Sequence, residues 1–265
     1  MPTLTFSEAQ DLLADQQTRV EDFNTPLSEW EPRVYNGQFA LYNKGNDRHY
    51  TPTDNALKNL AVMGGTSEWM LKDLREDKLD TSGRVSYYRN ESDADLLCRI
   101  VAHTVFNPSR QRVTKRRLWR TWRDGTLRAI LSDQYAVISN QWALEQWRQS
   151  LPNNTWVVHW RGDADSIYCN VMLPDSVVMS EGDSAYAIGL HLSNSEIGLR
   201  RLRSKPLIYR HVSDSSHIFG YKERDALDKV HRGEIHLSVM AERMKMQAFD
   251  HVSSARVHLK RVVAM

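Results

Sequence analysis

Asp124-Gly125 stands between two runs, RRLWRTW and TLRAILS, that interleave bulky apolar residues with arginine and threonine. Asp-Gly readily supplies the positive φ of a tight hairpin, and alternation of apolar and polar side chains is the pattern of half-buried strands. The dipeptide therefore commits this part of the chain to an antiparallel hairpin. The pattern recurs twice. In TWVVHWRGDADSIYCNVML, Trp156, Val158 and Trp160 alternate with Val157, His159 and Arg161, and Ile167, Cys169, Val171 and Leu173 point one way on the return strand. AYAIGLHLSNSEIGLRRLRSKPLIYRHV reads as a third hairpin, with Ser193 to Gly198 at its turn.

Helical periods surround these hairpins. Ser7 with Gln10 forms a capping box for a helix through Leu12, Leu13 and Val20. After a looser stretch with Pro26 and Pro32, YTPTDNALKNLAVMGG predicts a helix capped by Thr53 and stopped at Gly64-Gly65. TSEWMLKDLRED predicts another, begun at Thr66 or Ser67. Its acidic Glu68, Asp73, Glu76 and Asp77 favour a plain helical hairpin over a DNA-reading helix-turn-helix. SDADLLCRIVAHTVFNP has the clearest helical period: Ser92 and Asp95 cap it, Leu96, Leu97, Ile100, Val101, Thr104 and Val105 share a face, and Pro108 follows. NQWALEQWRQSL predicts a short helix with Asn140 as its cap, and KERDALDKVHRGEIHLSVMAERMKMQAF a C-terminal one. The expected fold class is α+β: an antiparallel sheet of about six strands built from three hairpins, with helices before, within and after it. Residues 1–90 are expected to be mostly helical, 91–220 to form the hairpin core and 221–265 to be helical again, within one compact domain.

The 265 residues carry a net charge of only +2, but the charges are segregated. Residues 1–98 hold 17 acidic and 10 basic side chains. Residues 110–128 hold Arg110, Arg112, Lys115, Arg116, Arg117, Arg120, Arg123 and Arg128 against Asp124 alone. A second acid-free stretch adds Arg200, Arg201, Arg203, Lys205 and Arg210. Positive charge concentrated on an otherwise acidic chain is the electrostatic footprint of a phosphate-binding surface. The 41% hydrophobic and 26% charged content is that of a soluble globular protein. No apolar run approaches the roughly 18 to 20 residues of a membrane helix. The N-terminus lacks the basic start and apolar segment of a signal peptide. Cys98 and Cys169 are too far apart in sequence for a zinc knuckle or redox pair, so a reducing, cytoplasmic setting is expected.

Chemistry-bearing fingerprints are missing. The sequence has no phosphate-cradling GxxxxGK[ST], no GxGxxG and no HExxH. His231 and His236 are five residues apart, off-register for two ligands on one helical face. Asp163 and Asp165 of RGDADS are turn residues first, although such a pair can begin a metal site for phosphodiester hydrolysis. No cofactor and no catalytic residue is expected from spacing. What remains is binding. Single strands of nucleic acid bind in grooves that combine cations with aromatic platforms, because every base has a π-face. Lys115, Arg116, Arg117, Arg120 and Arg123 would neutralise phosphates and Trp119 would stack on a base, while Leu118 and Trp122 face the core. Arg200, Arg201, Arg203 and Lys205 would line the same groove.

LRAILSDQYAVISNQWALE and GLHLSNSEIGLRRL…LIYRHV resemble a phage- and plasmid-associated family catalogued as a domain of unknown function. Its Ser-Asp-x-Tyr is matched by Ser132, Asp133 and Tyr135, followed by an Asn-started helix. Its Ser-Asn-Ser-Glu-x-Gly turn is matched by Ser193, Asn194, Ser195, Glu196 and Gly198, with a later Tyr-Arg at Tyr209 and Arg210. The likeness covers residues 50–215. Family members follow the Tyr-Arg with Cys-x-Asn-Gly, where this chain has HVSDSSHIFG. The resemblance implies mobile-element DNA metabolism in a bacterial host cell. More distantly, the element order is similar to the single-strand annealing recombinases, which form rings or filaments. The resulting expectation is a homo-oligomeric protein that binds and anneals single-stranded DNA without ATP. Two alternatives stand beside it: a metal-dependent phosphodiester enzyme using Asp163, Asp165 and Asp183, and a protein-interaction factor of a mobile element.

Overall fold

A computed structural model describes residues 6–75, 92–107, 109, 114–163, 165–179, 185–212, 215–220, 227–229 and 231–263. The fold is α+β. In chain order, α1 (Phe6–Gln17) precedes β1 (Val20–Pro26), β2 (Trp30–Tyr35), β3 (Gln38–Asn43), β4 (Arg48–Pro52), α2 (Asp54–Gly64), α3 (Glu68–Arg75) and α4 (Asp93–Thr104). Then come β5 (Arg116–Trp122), β6 (Thr126–Ser132), α5 (Asn140–Ser150), β7 (Trp156–Gly162) and β8 (Ser166–Met172). The last elements are β9 (Val178–Met179), β10 (Ala185–Ser195), β11 (Leu202–Val212), β12 (Ser215–Gly220), β13 (Leu227–Lys229) and α6 (Leu237–Val263). Instead of the single domain expected from sequence, these elements form two compact units: Arg19–Tyr135, and Met1–Thr18 together with Ala136–Met265.

Unit Arg19–Tyr135 holds a six-stranded sheet in the order β1-β5-β6-β4-β3-β2. Its end strands, β1 and β2, are separated in sequence only by the 3-10 turn Leu27–Glu29. So short a link forces the sheet to curl until its ends approach. Aromatic rings fill the curl. Trp30 stacks on Trp119 with ring centres 4.1 Å apart, and its indole N–H donates to Thr25 Oγ1 at 2.8 Å. Phe23 and Tyr50 pack edge-on around them. α2, α3 and α4 cover the same core through Leu57, Leu60, Leu71, Leu97 and Val101. The helix signals hold: Thr53 Oγ1 accepts from Ala56 N, Gly65 takes the left-handed conformation that ends α2, and Ser92 accepts from Asp95 N.

The other unit holds a seven-stranded sheet whose main path is β12-β11-β10-β8-β7, with β9 and β13 on its margins. One face packs Val157, Ile167, Cys169, Val171, Ile188, Leu190 and Leu192 against α1, α5 and α6 through residues such as Leu13, Trp147, Met244 and Ala255. All three expected hairpins form, as β5–β6, β7–β8 and β10–β11.

Several expectations need correction. Residues 20–52, expected within a mostly helical region, are four strands. Their mixed, proline-broken sequences carry little local signal, and pairing with distant β5 and β6 makes them strands. The described part of the span expected to begin the last helix is not helical: β13 takes residues 227–229, Gly233 has φ +74°, and α6 begins at Leu237, while residues 222–226 and 230 lie outside the described residues. α5 is capped by Ser139, whose hydroxyl accepts from Trp142 N, and Asn140 is its first helical residue.

Trp119 is fully buried and Trp122 only partly, the reverse of the assignment made from alternation. Trp119→Ala should lower unfolding stability by about 3–5 kcal/mol, the usual cost of emptying a large aromatic site. Urea denaturation checks this, and Trp122→Ala should cost clearly less.

Candidate nucleic-acid interface

The arginine-rich stretch loses much of its free charge to the fold. Arg120 is 1% exposed, and its guanidinium pairs with Asp22 at 3.0 Å on the neighbouring β1. Arg128 is buried over the Trp122 ring, 3.9 Å from its centre. Arg116 is exposed but donates to the backbone carbonyl of Asn24. Lys115 and Arg123 are exposed and Arg117 half-buried. Trp119 cannot stack on a base, because Trp30 already occupies that ring face inside the core. Arg110 and Arg112 lie outside the described residues. Of the expected binding set, Trp119 and Arg120 are therefore structural. Charge reversal at Arg120 would test folding rather than binding, since a buried charge left without its partner costs several kcal/mol.

Arg200, Arg201, Arg203 and Lys205 belong to the other unit. Arg200 and Arg201 are exposed ahead of β11, and Arg203 and Lys205 are half-buried on it. The two clusters expected to line one groove thus fall on different compact units. Strand register shows what surrounds the second. In β7, β8, β10 and β11 the residues opposite the apolar face line up in two adjacent rows. One row is His159–Asn170–His191–Lys205; the next is Arg161–Tyr168–Ser193–Arg203. In register Asp228 of β13 follows Arg203.

The rows are bound together by ring contacts. The Tyr168 and His191 rings lie 4.4 Å apart, His159 meets the Tyr168 ring edge-on at 5.6 Å, and the Arg200 guanidinium carbon is 5.6 Å from the Tyr168 ring centre. Asn170 Oδ1 sits 2.9 Å from His191 Nδ1. Beyond these rows the face turns apolar: Tyr209 packs against Gly189, where a Cβ would come within 2.2 Å of its ring. Glycine is required there for the ring to reach the backbone. Sequence reasoning missed His159, Arg161, Tyr168, Asn170 and His191 as a site. The signal was present as polar residues two apart in each strand, but their alignment needs the register.

Two of the elements that carried the family likeness, the Asn-started helix and the Ser-Asn-Ser-Glu turn, meet in this unit as a buried polar joint. Asn194 donates from Nδ2 to Ile138 O and to Asn140 Oδ1, both at 2.9 Å. Glu196 Oε1 accepts from Asn140 N at 2.7 Å, and Ser195 Oγ donates to Asp165 O. Ser132 O accepts from Tyr135 N in a turn after β6. Asp163 Oδ1 accepts from the backbone N–H groups of Asp165 and Ser166, so it closes the β7–β8 turn. Asp183 lies outside the described residues. Among the described residues no three His, Cys, Asp or Glu side chains converge as metal ligands. Burial pushes the Cys98 and Cys169 thiols up to about 12. No described helix is long and apolar enough to cross a membrane. No family model, curated protein or solved structure matches the chain.

Two outcomes follow from this geometry. Asn194→Ala removes the two buried hydrogen bonds to Ile138 O and Asn140 Oδ1 and should cost about 2–3 kcal/mol in urea unfolding. Burial, together with Arg203, Lys205 and Arg200, lowers His191 from the ordinary 6.5 to about 4. As pH falls from about 6.5 to about 4, the unfolded chain gains a proton at His191 that the folded chain refuses, so stability drops across that window. His191→Gln should flatten that part of the pH–stability curve, and an unchanged curve would count against an imidazole held neutral in the fold.

Proposed function

We propose that this protein binds single-stranded nucleic acid across the polar face of the β7–β8–β10–β11 sheet. The observation that carries this reading is the side-by-side register of two rows in which Arg161, Arg203 and Lys205 surround the rings of His159, Tyr168 and His191. Cations spaced along adjacent strands suit a phosphate backbone, and rings between them suit bases, which stack without regard to sequence. Arg200, beside Tyr168, adds a further cation at the edge. Lys115, Arg116, Arg117 and Arg123 on the other unit remain candidates for additional phosphate contacts.

Binding of this kind is what annealing of single-stranded DNA in a phage or other mobile element requires. A strand held extended pairs with its complement, and base pairing supplies the free energy, so no ATP is needed. Association of several copies into a ring or filament would extend the held strand. The resemblance of the two sequence motifs supports this setting, and the polar face supports the binding step.

Affinity for a labelled DNA single strand should fall with salt, with a log–log slope of roughly −3 for four neutralised phosphates. Arg203→Ala with Lys205→Ala should flatten that slope, and Tyr168→Ala should weaken binding by about 1–3 kcal/mol. Salt-independent binding, or a double variant that binds like the parent, would overturn the assignment. Annealing is read separately, as quenching on pairing of two dye-labelled complements without ATP.

A further inference from the structure

The same face holds more than a binding surface needs. Resting on the single-strand reading above, we propose that the row His159–Asn170–His191–Lys205 cleaves ribose-containing strands by metal-free transesterification. A deoxyribose strand carries no 2′-hydroxyl and would be held intact.

The geometry has three parts. Asn170, 4% exposed between its two neighbours, places Oδ1 2.9 Å from His191 Nδ1. With Oδ1 accepting, Nδ1 carries the ring proton and Nε2 keeps its lone pair, the arrangement of an oriented general base. His159 occupies the other side of Asn170 in the same row and is exposed, and both imidazoles touch the Tyr168 ring. A phosphodiester lying over Asn170 thus has one imidazole on each side. Lys205 continues the row beyond His191, and Arg203 and Arg161 lie in the next, so cations flank the phosphorus where negative charge grows.

The step balances without a co-reactant. His191 Nε2 takes the proton of the 2′-hydroxyl as its oxygen bonds to phosphorus. The bond from phosphorus to the 5′-oxygen breaks, and that oxygen takes a proton from protonated His159. The products are a 2′,3′-cyclic phosphate and a 5′-hydroxyl. Proton exchange with solvent then returns both imidazoles to their starting states. Asn170 is a positioning residue, acting through His191. The charged and titratable groups facing His191 are Arg203 and Lys205 from β11, Arg200 ahead of it, Tyr168 from β8, and His159 and Arg161 from β7.

The test uses the full chain in EDTA with three labelled oligonucleotides: all-DNA, all-RNA, and DNA with one internal ribose. Cleavage is expected in the RNA and at the single ribose, leaving a 2′,3′-cyclic phosphate, with all-DNA intact. His191→Ala and the surface variant His159→Ala should each slow cleavage about 100-fold or more, read as the single-turnover rate at saturating protein so that lost stacking is separated from lost chemistry. Arg203→Ala should move the acid limb of the pH–rate profile upward from near 4, because one of the charges depressing His191 is gone. Asn170→Ala should lower kcat more than it changes KM. Bound but uncut RNA overturns the cleavage alone, as does cutting that persists in both histidine variants. Failure to bind any of the three strands overturns the interface as well.

Discussion

A strand whose one face lies in a core cannot slip by a single residue without turning every buried side chain outward. β10 is under this constraint for most of its length, with Ile188, Leu190 and Leu192 buried against the helices and partners on both sides. Gly189, His191 and Ser193 are therefore held on the opposite face. Their neighbours in β8 and β11 follow from antiparallel pairing, and β7 from β8. The polar rows are thus aligned by apolar burial elsewhere, before any contact among their own side chains is counted. The joint at the end of β10 reinforces this: Asn194 and Glu196 grip the first turn of α5, a helix that covers the apolar face.

What could be read in advance was what is local. Asp124-Gly125 specifies its hairpin, Thr53 and Ser92 their caps, and the alternation at Ile167, Cys169 and Val171 the buried side of β8. β1 to β4 were not legible, because VEDFNTP and RHYTP acquire strand character only by pairing, β1 with β5 some 95 residues away in sequence and β4 with β3 and β6. The face of β5 was ambiguous for a related reason. Both of its sides mix tryptophan with arginine, and the choice falls to Trp119 because Trp30 waits on that side with a ring to stack against. For the candidate site, Arg203 and Lys205 were visible as charge. His159, Tyr168, Asn170 and His191 were not, since nothing in one strand's sequence says which residue of the next stands opposite.

The two basic segments show why composition alone does not locate exposed positive charge. Arginine's planar, weakly hydrated head can pair with a carboxylate or lie on an indole inside a fold. Arg120 does the first with Asp22 and Arg128 the second with Trp122, so a run that is strongly positive on paper is less so at its surface. On β11 the pattern differs. Arg203 and Lys205 stand two residues apart on a sheet face whose other strands contribute rings and one further arginine.

Those cations also set the chemistry of the imidazole between them. Burial and the charges of Arg203, Lys205 and Arg200 together hold His191 neutral. A phosphate settling on the same residues would offset their charge and return proton affinity to His191. Binding and protonation are linked free energies, so each must favour the other. On an empty face, His191 is a weak base with a free lone pair. Under the proposed cleavage, a phosphodiester in place would make it a stronger one, as the nearby 2′-hydroxyl gives up its proton.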